Sequence, residues 1–135
     1  MSQKIFVNLP VRDLNKSMAF FRALGYDFNA QFTDETAACM VINEHIYTML
    51  LTHAKFQEFT PKPIGDAKQS TEVLVCLSCD SRQQVDDIMN KALAAGATTC
   101  KPPQDYGFMY GQSFQDLDGH IWEFMWMDPS FVQKD

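Results

Sequence analysis

One carboxylate, Glu123, lies in an apolar segment near the C-terminus, from Ile121 to Met127. If this segment is a β-strand, Glu123 shares one face with Ile121 and Met125, while three aromatic side chains lie on the other face. An unpaired charge on a buried surface is costly, so we expect Glu123 to contact a metal ion, a polar ligand or a hydrogen-bond donor. Glu123 is therefore the first candidate for a catalytic or ligand-binding residue.

Other residue types that could support chemistry do not cluster around this carboxylate in the sequence. The alternation of the strand predicts that His120 points away from the Glu123 face, as a half-exposed residue beside a turn. Cys76 and Cys79 have the spacing of redox and zinc motifs, but their apolar surroundings predict a strand, in which the two side chains point to opposite faces. We expect reduced thiols that are buried or half-buried.

Composition limits the classes of protein to which the chain can belong. Its 135 residues and 46% hydrophobic content predict a single folded domain, residues 1–135. The net charge of −6 and the absence of a basic run argue against nucleic acid as a partner. No apolar run approaches the roughly 20 residues of a membrane span. We therefore expect a cytoplasmic protein with neither a nucleic-acid partner nor a membrane partner.

Two similar series of elements must position these residues. In the first series, a strand is followed by a helix that Asp13 caps and Gly25 ends, and then by three strands. In the second, Ser81 and Gln84 fit a capping box, Gly96 ends the helix, and Asp118-Gly119 predicts a tight turn between the last two strands. The predicted strands are 5–11, 26–32, 36–42, 46–51, 71–79, 98–101, 108–115 and 120–127.

This order predicts an internal repeat, residues 4–51 and 71–127, joined by a linker, residues 52–70, with a short helix at 53–59. Each strand-helix-strand-strand-strand unit would expose an apolar sheet face if it stood alone. We therefore predict an α+β fold of paired βαβββ modules that form a curved mixed sheet around a concave cavity, with the helices outside.

The sequence resembles the vicinal oxygen chelate superfamily, which includes glyoxalase I, extradiol dioxygenases and bleomycin or fosfomycin resistance proteins. The segments that carry the resemblance are Phe6 to Leu14, Phe20-Phe21, Leu24-Gly25 and Asp116 to Phe124. The resemblance implies paired repeats around a metal site, and it implies a homodimer.

In the metal-using members, the resemblance implies ligands from one inward position on each of several strands. Glu123 matches the last of these positions, while Asn8, Met49 and Leu74 stand where the family has its other ligands. An amide, a thioether and an aliphatic group do not replace hard-metal ligands. Glu72 is a candidate for a displaced second carboxylate. We therefore predict a divergent member without a catalytic metal; any metal would bind at Glu123.

Aromatic residues suggest a second part of the site. Phe108 and Tyr110 share a predicted strand face that could line a pocket or could be ordinary core. The sequence predicts a small-molecule-binding protein. The alternatives are a metal-dependent lyase or dioxygenase, similar to glyoxalase I or an extradiol dioxygenase, with Glu123 as metal ligand or base, and a domain that serves association alone. The predicted ligand-binding residues are Asn8, Met49, Leu74, Phe108, Tyr110 and Glu123.

Overall fold

The helices and strands of the first half recur in the same order in the second half. The computed structural model describes residues 3–131. The chain divides into two compact units, Met1–Asp66 and Ala67–Asp135. The division falls within the predicted linker, residues 52–70.

The first unit contains a four-stranded sheet with the strand order β1-β4-β3-β2. Strands β1 and β4 are parallel, and the other neighbouring strands are antiparallel. A short 3₁₀ turn, Ala30–Phe32, follows β2. The other elements are β1 (Ile5–Val11), α1 (Leu14–Ala23), β2 (Asp27–Phe28), β3 (Ala37–Val41), β4 (Ile46–Thr52) and α2 (His53–Gln57).

Local signals determine the ends of α1. The Asp13 side chain accepts a hydrogen bond from the Lys16 backbone N–H at 3.1 Å, which satisfies a donor that the helix itself leaves unpaired. Gly25, with φ 105°, follows the end of the helix in a conformation that favours glycine. The helix buries Leu14, Met18 and Phe21. The predicted helix is therefore confirmed.

The strand predicted at 26–32 is shorter than expected. It contains only Asp27 and Phe28, because the Asn29 side chain accepts a hydrogen bond from the Gln31 backbone N–H at 2.9 Å and begins the 3₁₀ turn. A side chain that bonds to its own neighbouring backbone competes with strand pairing.

The second unit contains a sheet with the strand order β5-β9-β8-β6, and a short strand, β7, also pairs with β8. Strands β5 and β9 are parallel, and the other neighbouring strands are antiparallel. The elements are β5 (Leu74–Ser78), α3 (Arg82–Ala94), β6 (Thr98–Thr99), β7 (Gln104–Asp105), β8 (Met109–Gln115) and β9 (Ile121–Met127).

Helix α3 begins at a variant of the predicted capping box. The Ser81 hydroxyl accepts from the Gln84 backbone N–H at 3.0 Å, but the Gln84 side chain accepts from the Asp80 backbone N–H at 2.7 Å instead of from Ser81. The helix buries Val85, Met89 and Ala92. It packs against β8 and β9, whose core residues Phe114, Trp122 and Phe124 are also buried.

The α+β fold and its two βαβββ units are confirmed, with β7 as an unpredicted addition to the second. No helix among residues 3–131 is long and apolar enough to cross a membrane.

Candidate ligand site on the second sheet

The strand register of the second unit places a row of polar side chains on one face of its sheet. Cys76 of β5 pairs with Glu123 of β9, and Glu123 pairs in turn with Ser113 of β8. Paired residues in adjacent strands lie on the same face. The face that contains this row is called the Glu123 face. Its residues are Leu74, Cys76, Ser78, Gly111, Ser113, Gln115, Ile121, Glu123 and Met125.

Glu123 has a charged partner on this face. The Nζ atom of Lys101 lies 3.3 Å from Glu123 Oε2, and the two side chains are 41% and 26% exposed. The expectation that Glu123 contacts a hydrogen-bond donor is therefore confirmed, while its expected burial is corrected, because the side chain is only half-buried. The contact is longer than the 2.7–2.9 Å typical of a charge-assisted hydrogen bond between nitrogen and oxygen.

Both members of this pair keep hydrogen-bonding capacity. Among residues 3–131, the side chains of Lys101 and Glu123 have no hydrogen-bond partner besides each other. A lysine ammonium has three N–H donors and a carboxylate has two acceptor oxygens. Two donors of Lys101 and the Oε1 atom of Glu123 are therefore available to a ligand or to solvent.

The segment from Lys101 to Gly107 is held to the start of α3 by contacts near the C-terminal end of the segment. Arg82 donates hydrogen bonds to both carboxylate oxygens of Asp105, each at 2.9 Å, and a third to the Gly107 carbonyl at 3.0 Å. Its guanidinium also lies over the rings of Tyr110 and Trp126, 5.1 and 5.2 Å from their centroids. The hydrogen bonds that Asp105 accepts from Arg82 and from the Gly107 backbone N–H hold the pKa of Asp105 well below its usual value, at about 2.

The neighbouring thiol of Cys76 is neutral at pH 7. Partial desolvation by neighbouring side chains raises the pKa of the exposed Cys76, and the charge of Glu123 raises it further, while Lys101 opposes the shift. The thiolate is the nucleophilic form of cysteine. Cys76 therefore offers a ligand a weak donor and a polarisable surface, and it is not set up as a nucleophile.

Ser113 and Cys100 lie at the other end of the polar row. Ser113 is buried, and its hydroxyl oxygen lies 3.2 Å from the Cys100 sulfur. Cys76 and Cys100 are exposed residues, while Cys39 and Cys79 are buried. The prediction that Cys76 and Cys79 are buried or half-buried is thus confirmed for Cys79 and wrong for Cys76. Burial raises the pKa of Cys79 to about 11.

In the first unit, Asn8 and Met49 form a cross-strand pair that corresponds to Cys76 and Glu123 in the second unit. Asn8 of β1 is opposite Met49 of β4, so the structure brings these two predicted residues together. Asn8 is exposed, and its side-chain amide donates a long bond of 3.4 Å to the Phe6 carbonyl. The Phe6 ring stacks on that of Tyr47, with their centroids 4.8 Å apart. An amide and a thioether beside two aromatic rings form a surface suited to apolar contact.

The helix caps show how the two pairs correspond. Asn8 lies five residues before the cap Asp13, and Cys76 lies five residues before the cap Ser81. Cys76, and not Leu74, is therefore the counterpart of Asn8 in the second unit. Leu74 pairs with Ile121 and is 53% exposed, on the same face as Glu123 but two residues away from the polar row.

Two of the predicted ligand-binding residues lie away from Glu123. Tyr110 lies on the opposite face of the sheet, where its hydroxyl donates to Asp86 of α3 at 2.5 Å. Phe108 precedes β8, and its ring stacks on Phe131 with centroids 4.3 Å apart. The second unit therefore does not bring Tyr110 and Glu123 to one sheet face.

The buried carboxylate of this unit is Asp116, which was not among the predicted site residues. Its Oδ1 accepts from the backbone N–H groups of Asp118 and His120 at 2.9 and 3.0 Å, and its Oδ2 accepts from the indole N–H of Trp122 at 3.0 Å. Burial raises the pKa of Asp116, against the effects of His120 and of the Trp122 hydrogen bond. Its position before Asp118-Gly119 is the only sequence signal of this role, since an Asx side chain commonly bonds to backbone two residues on.

His120 also differs from its prediction. It is only 8% exposed, so the expectation of a half-exposed histidine is wrong. The connection between β8 and β9 closes on itself, with Asp116 donating its backbone N–H to the His120 carbonyl at 2.9 Å.

The residues at the expected ligand positions do not fit a divalent metal. These positions hold an amide in Asn8, a thioether in Met49, a neutral thiol in Cys76 and an ion-paired carboxylate in Glu123. Glu72 is exposed and precedes β5, so it does not lie on the strand as predicted. Within residues 3–131, no three His, Cys, Asp or Glu side chains are grouped closely enough to hold a metal ion.

Comparison with known proteins agrees with this architecture. A family model described as "Bleomycin resistance protein-like N-terminal" matches residues 3–43. Hypothetical protein SA1046 from S. aureus is 31% identical to the chain, with a TM-score of 0.77 and coverage of 93% of this chain and 94% of that one. Among curated proteins, no sequence matches significantly.

Two further solved structures share the fold at lower identity. A glyoxalase/bleomycin resistance protein/dioxygenase family enzyme from Burkholderia phytofirmans PsJN is 18% identical, with a TM-score of 0.76 and coverage of 93% and 99% of the two chains. The fosfomycin resistance protein FosX from Listeria monocytogenes is also 18% identical, with a TM-score of 0.67 and coverage of 100% and 96%. The chain therefore has the vicinal oxygen chelate fold of glyoxalase/bleomycin resistance protein/dioxygenase family proteins, and its residues 3–43 match a bleomycin resistance protein-like family model.

Proposed function

We propose that the protein binds a small molecule on the Glu123 face of its second sheet, without a catalytic metal held by the protein. The observation that carries this proposal is the ion pair of Lys101 and Glu123, whose two members keep free donors and a free acceptor on a solvent-accessible face. Binding sites for small molecules typically combine apolar lining with a few polar groups that fix the orientation of the ligand.

The surroundings of the ion pair support this proposal. Ile121 and Met125 flank Glu123 along β9, and both are half-buried. The opposite face of the sheet packs on α3, so its polar groups, such as those of Tyr110 and Gln112, are engaged with Asp86. The Glu123 face is thus the side of this sheet whose polar groups remain available.

The donor chemistry argues for recognition without a metal. A hard divalent ion requires several carboxylate, imidazole or carbonyl ligands, and Glu123 is the only charged one among the four matching positions. A lysine ammonium already neutralises its charge. FosX is described as a fosfomycin resistance protein, so a small molecule is also central to the described role of that structural neighbour.

A thermal-shift screen of a small-molecule library, run with and without chelator, tests the proposal. A ligand of the native state raises the melting temperature by mass action, and we expect hits whose shifts persist in chelator. Glu123→Gln should reduce these shifts, because it removes the charge while keeping the shape. Glu44→Gln is the matched control, since Glu44 is 85% exposed in a turn of the first unit.

The outcomes separate the candidate functions. Shifts that disappear with chelator and return with a divalent ion would instead favour a metal-dependent lyase or dioxygenase. A complete absence of shifts that depend on Glu123 would contradict ligand binding on this face. The homodimer and the cytoplasmic location stay predictions; sedimentation analysis of the purified protein tests the first.

A further inference from the structure

We infer that the ligand of the Glu123 face is a small zwitterion with an apolar tail, such as an amino acid with an apolar side chain. The inference rests on the proposed function, because it specifies the chemistry of the ligand at that same site. It follows from the charges of Lys101 and Glu123, from their free hydrogen-bonding groups and from the apolar residues beside them.

The ion pair itself favours a ligand that carries both charges. A singly anionic ligand would approach Lys101 but would also meet the like charge of Glu123 a few ångströms away. A singly cationic ligand would approach Glu123 but would also meet the like charge of Lys101. A zwitterion gives each side chain a partner of opposite charge, so neither charge is left unpaired when water is displaced.

Opening the ion pair to admit such a ligand is feasible. The single contact of 3.3 Å joins two partly exposed side chains, and pairs of this kind contribute little to stability. The pair of Arg82 and Asp105 in the same unit is different, since two bonds of 2.9 Å join it in a bidentate geometry. Lys101 is therefore freer than Arg82 to change partners, while Arg82 holds the segment in place.

The residues around the pair account for the apolar tail. Along β9, Ile121 and Met125 lie on either side of Glu123, and Leu74 of β5 is 53% exposed on the same face. An aliphatic or aromatic side chain of the ligand would cover these groups and remove apolar surface from water. Methionine adapts to ligands of different shape.

Three sets of probes test the inference: L-leucine, L-methionine and L-phenylalanine, each compared with its N-acetyl derivative and its amide. The N-acetyl derivative carries only the negative charge, and the amide carries only the positive charge at pH 6.5, below the α-amino pKa of about 7.7–8.0. Binding is measured by titration of ¹⁵N-labelled protein with observation of backbone amide signals. We expect at least one zwitterion to bind about tenfold or more tightly than both of its derivatives, with shifts at the Glu123 and Cys76 amides.

Variants assign the two charges separately. In Lys101→Met, the zwitterion should bind no better than the amide does, and in Glu123→Gln no better than the N-acetyl derivative does. The charge exchange Lys101→Glu with Glu123→Lys should restore the preference for the zwitterion, which a merely structural role would not do. Lys91→Met, at an exposed position of α3, is the control and should leave binding unchanged.

The inference is overturned if no zwitterion is preferred over both derivatives, or if the charge exchange fails to restore the preference while the protein remains folded. The proposed function is judged separately by the library screen. If the hits that depend on Glu123 are not zwitterions, the proposed function is retained and this inference is refuted. If no hit depends on Glu123, both are contradicted.

Discussion

Removal of the buried Asp116 carboxylate should destabilise the second unit by an amount that depends on which hydrogen bonds are lost. Asp116→Asn keeps an acceptor oxygen for the backbone N–H groups of Asp118 and His120. It places an amide N–H₂ group against the indole N–H of Trp122, which is fully buried. One stranded buried donor costs about 1–3 kcal/mol, so we expect a loss of about 2 kcal/mol.

Asp116→Ala should cost about twice as much. It strands the Trp122 indole N–H and the buried backbone N–H of His120, while the Asp118 N–H lies in a turn that is only part-buried. Two stranded buried donors correspond to about 4 kcal/mol. With a urea slope of about 1.5 kcal/mol/M, the midpoints should fall by about 1.3 M for the Asn variant and about 2.7 M for the Ala variant.

Tryptophan fluorescence is a suitable signal for this urea titration, because both tryptophans of the chain lie in β9. Asp87→Asn is the control, since Asp87 is exposed on α3 and an amide oxygen can still accept from Gln83. In a Trp122→Phe background, Asp116→Asn should cost less, with a coupling energy of about 1–2 kcal/mol. Equal midpoints for the Asn and Ala variants, or a coupling energy of zero, would refute this account of Asp116.

Three other outcomes follow from the second unit and its cysteines. Arg82 lowers the pKa of Asp105 from 3.8 to about 2. The pair of Arg82 and Asp105 therefore stabilises the fold at a pH above the unfolded-state pKa of Asp105, and this stabilisation is lost as the pH falls from about 5 towards 2. Asp105→Asn should flatten that part of the curve of unfolding free energy against pH, measured by denaturation. Gly119→Ala should destabilise more than Gly25→Ala, since both have positive φ but a Cβ at Gly119 would lie 2.9 Å from the Lys68 backbone nitrogen; equal losses of melting temperature would contradict this. Alkylation of the native protein followed by mass spectrometry should modify the exposed thiols of Cys76 and Cys100 and spare the buried thiols of Cys39 and Cys79. Early modification of a buried thiol would contradict their placement.

The parts of the fold that the sequence predicted well depend on local signals. The bounds of β1 agree with the prediction, and those of α1 follow from the cap at Asp13 and the stop at Gly25. The strand alternation of β9 correctly separated Glu123 from the aromatic residues, because side chains in a strand alternate regardless of tertiary contacts.

The candidate site depended on register and on contacts between distant residues, which strand alternation does not supply. Lys101 lies 22 residues before Glu123 and was predicted inside a strand. That strand ends at Thr99, ahead of Pro102 and Pro103, which lack the N–H needed for pairing, so Lys101 is free to reach Glu123. Leu74 was predicted at the position that Cys76, two residues later, occupies, and the distance to the helix caps Asp13 and Ser81 identifies Cys76 as the counterpart of Asn8.

Asp116 illustrates a different limit. Its bonds to the backbone of Asp118 and His120 are local and could have been predicted from the turn sequence. Its bond to Trp122 depends on the closure of the hairpin, which brings a strand residue back over the turn. The buried carboxylate of Asp116 therefore stabilises the hairpin, and the half-buried Glu123 is the carboxylate that we propose for ligand binding.

Chemical-shift mapping of a hit from the small-molecule screen, in the presence of chelator, tests the central claim most directly. Binding on the Glu123 face predicts the largest amide shifts at Cys76, Ser113 and Glu123, together with loss of those shifts in Glu123→Gln. Shifts confined to α3 and the residues beneath it, or binding that disappears when chelator is added, would contradict a metal-independent ligand site on this face.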